Sequence, residues 1–208
     1  MTTALFVTSS ANGAASVSNR IAAAFADRLR AGDPAIRIIE RDVGGAPPPH
    51  LTPPTLAALS GEPRSETELA GRALSDVLIA ELDAADLLVI GSPMYNFGIS
   101  STLKAWFDHV LRPGRTFRYT ESGPEGMMTG KKAVVIESRG GVYSEGPAAA
   151  FDSQESHLRT MLGFIGITDI TFVRAERLAF GPEAVRAALD AAAMTLDGFV
   201  RDELRLAA

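Results

Sequence analysis

The chain has 208 residues, of which 46% are hydrophobic, so it is long enough for one large domain with a buried core. Its net charge of −5 and its lack of basic runs argue against a nucleic-acid-binding surface, and its lack of cysteines excludes disulfides, thiol catalysis and thiolate metal sites. The opening MTTALFVTSS does not look like a signal peptide, and no apolar run reaches the roughly 18 residues of a membrane span. We therefore expect a cytoplasmic protein with one domain over residues 1–208 and with no membrane or nucleic-acid partner.

Strand-like apolar runs alternate with amphipathic helical patterns along the chain. In chain order they predict a strand at Ala4–Thr8, a helix at Ser16–Arg30, a strand at Ile36–Asp42, a helix at Glu66–Leu82, a strand at Asp86–Gly91, a helix at Ser100–Leu111, a strand at Lys132–Ser138, a helix at Ala148–Leu162, a strand at Ile167–Arg174 and a helix at Pro182–Leu206. Such alternation predicts an α/β fold with parallel strands, right-handed crossovers and helices on both faces. Five strands fit the doubly wound order 2-1-3-4-5 better than a six-stranded dinucleotide fold.

A proline-rich segment, Gly44 to Ser65, interrupts this alternation. It holds six of the twelve prolines of the chain. Because proline removes backbone donors, we expect no regular element here, only a flexible linker or a long functional loop. It is not predicted to be a domain boundary, since the two strands before it could not form a stable domain.

The predicted strand order places the ligand site at one edge of the sheet. In a doubly wound sheet, ligands bind outside the carboxyl ends of the strands where the strand order reverses. The loops that should converge there are SSANGAASVSN after the first strand, GSPMYNFGIS after the third and SRGGVYSEGPA after the fourth. All three are rich in Gly, Ser or Asn.

The first loop leads directly into a predicted helix, whose first N–H groups would be unpaired and would attract an anion. Ser10, Ser16, Ser18 and Asn19 add hydroxyl and amide groups. Taken alone, the loop is equally well explained as a helix cap. It lacks GxxxxGK[ST] and GxGxxG, so a single phosphate is favoured over a nucleoside triphosphate or a dinucleotide.

The second and third loops have features of a site for a flat heterocycle. Met94, Tyr95 and Phe97 offer apolar walls, and the backbone and Asn96 offer edge partners. Glycines at 140 and 141 would let the backbone approach a ligand. The alternatives are that the aromatic residues belong to the core or to an interface, and that the glycines form an ordinary turn.

Five motifs in this order resemble one family over almost the whole chain. The serine-rich loop ending in SxSN, then SPMYNF, TFRYTxxGPEG, SRGG and LGFIGI, looks like the bacterial FMN-dependent NADH-azoreductases, which are flavodoxin-like quinone and azo-dye reductases. The resemblance implies a flavodoxin-like fold and a homodimer with active sites at the subunit interface. It also implies ping-pong electron transfer from NADH or NADPH through FMN to a quinone or azo compound.

The resemblance also implies roles for individual residues. The FMN phosphate would be held by Ser10, Ser16, Val17 and Ser18; the isoalloxazine and ribityl chain would be lined by Met94, Tyr95, Asn96 and Phe97; and the far edge of the ring would meet Ser138, Arg139, Gly140 and Gly141. The sequence departs from the family in the proline-rich segment and at Val142 to Glu145, so its substrate range is open.

The remaining candidates concern the substrate. Phe117 and Tyr119 follow the turn RPGRT and are expected to stack on a planar acceptor or on nicotinamide, unless they pack under their own loop. Arg118 or Arg64 would favour NADPH. The histidines, His50, His109 and His157, are scattered, so we predict no metal site, and His109 is expected at the surface or in packing.

Two other classes of protein remain open. One is a flavodoxin-like electron carrier with no substrate site of its own, which would usually be more acidic. The other is a structural or regulatory protein that kept the fold and lost the flavin.

Overall fold

The structure, a computed structural model, describes residues 2–206. Its strands are β1 (Thr3–Thr8), β2 (Arg37–Asp42), β3 (Leu87–Pro93), β4 (Phe117–Thr120), β5 (Gly123–Gly126), β6 (Lys132–Ser138) and β7 (Asp169–Ala175). Its α-helices are α1 (Val17–Gly32), α2 (Pro53–Ser60), α3 (Glu66–Ala84), α4 (Ser101–Val110), α5 (Gln154–Phe164) and α6 (Pro182–Leu206). Within this part of the chain, no helix is both long and apolar enough to cross a bilayer.

The main sheet is parallel and has the strand order β2-β1-β3-β6-β7. These are the five strands expected from sequence, so the predicted order 2-1-3-4-5 is confirmed. Alternate residues of β1 face opposite cores: Leu5 and Val7 pack toward α3, α4 and α5, and Ala4 and Phe6 pack toward α1 and α6. The central strand β3 is buried along its whole length, as a parallel strand covered on both faces should be.

The proline-rich segment contains a helix, which corrects the expectation of a wholly irregular loop. Helix α2 begins with Pro53 and Pro54 in its first turn, where the missing N–H groups cost nothing because they would have had no helical partner. Thr52 caps it in a reciprocal capping box with Thr55. Ahead of the helix, His109 Nε2 lies 3.0 Å from the carbonyl oxygen of Pro49, so the segment is fixed to α4.

The predicted helix at Ala148–Leu162 is also wrong in part, because it is broken into two pieces. Residues Pro147–Phe151 form a 3-10 turn, and α5 begins only at Gln154. Between them, Asp152 turns its carboxylate onto the N–H groups of Gln154 (2.8 Å) and Glu155 (3.3 Å). Asp152 therefore stabilises the start of a separate helix, α5, instead of extending the 3-10 turn before it. Within α5, Glu155 and Arg159, which are one helical turn apart, form a salt bridge of 2.7 Å.

A small antiparallel hairpin, β4–β5, lies between α4 and β6 and was not predicted. It docks closely on the turn after α5. A Cβ added at Gly126 would lie 2.1 Å from the backbone nitrogen of Gly166, so only glycine fits at this contact. The Phe117 ring packs 4.6 Å from the Phe164 ring, centroid to centroid, which anchors the hairpin.

Candidate functional site

The loops after β1, β3 and β6 meet at the carboxyl edge of the sheet, as the strand order requires. They enclose an open cavity of about 460 Å³. Its lining includes Ser10, Ser16, Met94, Tyr95, Ser138 and Leu178. No charged side chain is among the described residues that line it.

The first loop combines a helix cap with free backbone donors. Ser16 is the N-cap of α1, and its hydroxyl accepts from the Asn19 N–H at 3.3 Å. The Ser16 and Ser18 hydroxyls lie 3.1 Å apart. In the described part of the chain, the N–H groups of Val17 and Ser18 have no hydrogen-bond partner. The serine that caps the helix thus lies beside the unpaired donors, so the helix cap and the predicted anion cradle would be formed by the same residues.

Tyr95 connects the second loop to the first. Its hydroxyl lies 3.1 Å from the Ser10 hydroxyl and accepts from the Ala11 N–H at 3.1 Å. The ring therefore serves both as a wall of the cavity and as a tie between two loops, a role that the sequence did not reveal. Ser10 is only 3% exposed and also accepts from the Asn12 N–H, so its hydroxyl is held by two partners.

The second loop turns on two residues with positive φ. Tyr95 and Gly98 exchange backbone hydrogen bonds at 2.9 and 3.1 Å around Asn96 (φ 48°) and Phe97 (φ 71°). Asparagine tolerates this region, whereas phenylalanine is strained in it. The turn leaves both side chains exposed at the rim, outside the lining of the cavity itself.

The third loop offers two more free donors. The carbonyl oxygens of Gly140 and Gly141 accept from Ala179 and Arg177, both at 3.0 Å. Their own N–H groups have no partner within residues 2–206. Ser138 lines the cavity, and its carbonyl oxygen accepts from the Met94 N–H at 2.9 Å, which joins the third loop to the second.

Arg139 differs from its neighbours because its side chain points away from the cavity. The guanidinium is fully buried and contacts Glu137 at 2.8 Å, Asp152 at 2.9 Å, Gln154 at 3.0 Å and Glu176 at 3.1 Å. None of its side-chain nitrogens is left for a ligand. Burial raises the pKa of Glu137 to about 7, with Arg139 opposing the shift and the nearby Glu155 and Asp152 reinforcing it.

The two aromatic residues of the hairpin have different surroundings. Phe117 is 6% exposed and packs under the hairpin against Phe164, whereas Tyr119 is 74% exposed. Arg118 is paired with Glu125 across the hairpin through two hydrogen bonds of 2.9 and 3.0 Å. Near the rim, Phe97 lies against the rings of Tyr143 and Phe151, so the exposed aromatic surface is larger than the sequence motifs indicated.

His109 is fully buried on α4, so of the two expected places for it the structure shows packing. Among residues 2–206, no group of three or more His, Asp or Glu side chains lies close enough together to hold a metal ion.

Leu178 and Gly44 belong to the site, although the sequence did not single them out. Leu178 lines the cavity from the loop after β7, the fifth strand of the sheet. Gly44 lies behind the first loop, where an added Cβ would be 2.3 Å from the Ser10 carbonyl oxygen. Their positions just after strands β7 and β2 were the available signal, because all such loops share one edge of a parallel sheet.

Comparison with known proteins agrees with this architecture. Residues 2–199 match the family described as having a flavodoxin-like fold. A protein of Hyphomonas neptunium named FMN-dependent NADH:quinone oxidoreductase is 52% identical over 192 residues, covering 92% of each chain. A protein of the same name from Ralstonia nicotianae is 49% identical over 191 residues, covering 90% of this chain and 92% of its own. The crystal structure of an azoreductase from Bacillus anthracis superimposes with a TM-score of 0.88 at 28% identity, covering 97% of this chain and all of the other.

The parallel sheet and its strand order define a flavodoxin-like protein, and the chain belongs to that family. Within it, the chain belongs with the FMN-dependent NADH:quinone oxidoreductases, to which it is about half identical over nine-tenths of its length. The resemblance inferred from the sequence motifs is thereby confirmed.

Proposed function

We propose that this chain binds FMN and transfers two electrons from NADH or NADPH to quinones or azo compounds. The observation that carries the proposal is the set of polar groups that line one cavity: the unpaired N–H group of Val17 and the side chains of Ser10, Ser16 and Ser138. The unpaired N–H groups of Gly140 and Gly141 follow Ser138 directly in the third loop. The names of its relatives support the same chemistry.

The residues present suit FMN on physical grounds. A monophosphate needs short-range donors, which the N–H groups of Val17 and Ser18 and the hydroxyls of Ser10 and Ser16 supply. A flat heterocycle needs an apolar wall and edge donors. Met94 and Tyr95 would supply the wall, and the N–H groups of Gly140 and Gly141 would supply the edge.

Bound FMN would supply the hydride chemistry, in a ping-pong cycle in which the nicotinamide and the acceptor use one site in turn. The protein then contributes binding, orientation and electrostatics. N–H groups at the edge of the ring would stabilise negative charge on the reduced cofactor, which is the role we assign to Gly140 and Gly141. The exposed ring of Tyr119 and the aromatic rim of Phe97 and Phe151 would hold a planar substrate.

We also propose a homodimer with the active sites at the subunit interface, and a cytoplasmic location. Large apolar side chains exposed on α3, Leu69 at 57% and Val77 at 51%, support an interface. The exposed aromatic rim beside the cavity supports its being completed by a second copy.

An electron carrier without its own substrate site is the competing function. The names of the relatives favour the enzyme, and so does the open aromatic rim, for which a carrier has no use.

The test is spectroscopic and then kinetic. The purified protein should be yellow with an FMN spectrum and should oxidise NADH steadily in the presence of menadione or an azo dye, with no partner reductase. Parallel assays with NADPH and with nitroaromatics would define the donor and acceptor. A colourless protein that takes up no added FMN would refute the proposal, and turnover that required a separate reductase would favour the carrier.

A further inference from the structure

Arg139 lies in the SRGG motif of the third loop, yet its side chain is the only one of that motif that is buried away from the cavity. Its guanidinium is fully buried, and its three nitrogens contact four side chains. Those four side chains come from β6, from the start of α5 and from the loop after β7. A buried cation with this many charged partners costs desolvation energy and is weak as a source of stability.

One branch of the contacts leads to the second loop. The Arg139 Nε–H donates to Gln154 Oε1 at 3.0 Å. The Gln154 amide in turn donates to the carbonyl oxygen and hydroxyl of Ser92, at 2.8 and 3.0 Å. Ser92 immediately precedes the stretch Pro93-Met94-Tyr95 that lines the cavity. Gln154 is fully buried, so no water competes for these bonds.

A parallel branch passes through Asp152. This carboxylate accepts hydrogen bonds from Arg139 and from the N–H group of Gln154, the first residue of α5. The N–H group of the adjacent Ser153 donates to the Phe97 carbonyl oxygen at 3.0 Å. The turn that carries Asn96 and Phe97 is therefore also held from the Arg139 side.

The remaining branch fixes the third loop itself. Glu176 accepts from Arg139 at 3.1 Å and from the N–H groups of Tyr143 and Ser144 at 2.8 and 2.9 Å. The backbone of Arg139 is bonded to Ala175 and Leu178. The loop after β6 is thus fastened on both sides of its glycine pair.

We propose that Arg139 is a positioning residue that holds the loops after β3 and β6 at a fixed spacing, through Gln154, Asp152 and Glu176. It would thereby set the width of the FMN cavity without touching the cofactor. This inference rests on the proposed function for its ligand, but the contacts that carry it belong to the protein alone.

The test compares two variants of the connection with one matched control. Gln154→Met cuts the branch to Ser92 at nearly constant volume, and Arg139→Lys keeps the charge but cannot contact four partners. Leu196→Ala, in the core between α1 and α6, lowers stability without touching the network. FMN dissociation constants are measured by flavin fluorescence at a temperature at which all variants are folded, together with the midpoint potential of the bound flavin.

We expect both network variants to bind FMN at least tenfold more weakly and to shift the midpoint potential. We expect Leu196→Ala to keep both values while melting at a lower temperature. FMN affinity within twofold of wild type in Gln154→Met and Arg139→Lys would overturn the inference, and so would an equal loss in the control.

Hydrogen exchange on the protein without FMN separates this inference from the proposed function. Faster exchange at residues 94–98 is expected in Gln154→Met and in Arg139→Lys, and faster exchange at Tyr143 and Ser144 is expected in Arg139→Lys. Neither change is expected in Leu196→Ala. Unchanged exchange would overturn the positioning role even if FMN binds. A wild-type chain that bound no FMN would refute the proposed function, and the exchange experiment would still decide the role of Arg139.

Discussion

At the scale of single residues, the turn after β3 shows how backbone geometry changes the design of a mutational test. Asn96 has a φ of 48°, a conformation that asparagine tolerates and alanine does not. Replacing it by alanine would add strain of roughly 1 kcal/mol on top of any loss of ligand contact. Asn96→Gly removes the amide without that strain.

We therefore predict that Asn96→Gly melts close to wild type without FMN but binds FMN about tenfold more weakly, which corresponds to about 1.4 kcal/mol of lost contact. Asn96→Ala should lose both stability and affinity. Calorimetry with and without FMN, and flavin titration, check the two effects separately. Wild-type affinity in the glycine variant would mean that the Asn96 side chain is not a ligand contact.

Glu137 leads to a prediction about pH. Its pKa is raised to about 7 by burial, whereas an unfolded glutamate titrates near 4.3. The folded protein therefore binds the extra proton between these values, and its unfolding free energy should fall as pH rises from about 4.5 to 7. At about 1.4 kcal/mol per pH unit, the loss is on the order of 3 kcal/mol.

Glu137→Gln cannot titrate, so we predict that it flattens this part of the pH profile. Urea unfolding at several pH values between 5 and 8 measures the difference between variant and wild type. Glu125→Gln is a control, because the hydrogen bond and charge of Arg118 lower the pKa of Glu125, so its contribution is lost at lower pH, and Glu125 does not perturb Glu137. Parallel pH profiles for wild type and Glu137→Gln would contradict the prediction.

The contents of the three loops were predictable at this scale, but the direction of some side chains was not. Ser10, Ser16 and Met94 line the cavity as expected, because short loops at the ends of adjacent parallel strands have few other places to go. Arg139 stands in the same motif, but its partners Asp152 and Glu176 are distant in sequence. Only the folded chain brings them together, so no local pattern indicated that its guanidinium turns inward.

At the scale of elements, the β4–β5 hairpin separates two residues that the sequence treated alike. Phe117 is buried against Phe164 and Tyr119 is largely exposed, although both follow the same turn. Because side chains alternate along a strand, Phe117 and Tyr119 point to the same face of β4. Phe164 covers that face at Phe117, whereas the Tyr119 side chain stays exposed. Their substitutions should therefore have different consequences.

We predict that Phe117→Ala lowers the unfolding free energy by about 3 kcal/mol or more, as truncation of a buried aromatic residue generally does. Tyr119→Ala should change it by less than about 0.5 kcal/mol, as expected for a surface position. If Tyr119 contacts the acceptor, its truncation should raise the KM for menadione while FMN binding stays unchanged. Chemical denaturation and steady-state kinetics on the same two variants test this pair of effects.

The proline-rich segment shows why one element was missed. Proline is disfavoured in the interior of a helix, but Pro53 and Pro54 lie in the first turn of α2, where proline is tolerated. The pattern T-P-P-T, with a capping threonine at each end, was the local signal. The contact of His109 with Pro49 fixes the rest of the segment and joins residues 60 positions apart, which no local pattern encodes.

At the scale of the whole molecule, the strand order was predictable because alternating strands and helices leave few right-handed arrangements. The two sides of the sheet were readable from the same patterns. Contacts between molecules could not be predicted from these patterns, since exposed apolar residues such as Leu69 and Val77 do not identify their partner.

We predict a homodimer by sedimentation equilibrium, weakened by Val77→Glu on the exposed face of α3. A charge there would be buried unpaired in an interface but would cost little in a monomer. Ala23→Glu, at an exposed site on α1, is the control, because it adds the same single negative charge. A chain that sediments as a monomer at micromolar concentration would contradict the predicted assembly.

The uncharged set of N–H groups and hydroxyls that is proposed to hold the FMN phosphate has a consequence for the rate at which FMN would bind. The described lining of the cavity carries no charged side chain, and the whole chain has a net charge of −5, so a phosphate dianion feels no long-range attraction. FMN binding would then depend on encounters in which the phosphate already faces the N–H groups. Lowering the salt concentration should slow FMN association or leave it unchanged, the opposite of what a lysine-lined site would show.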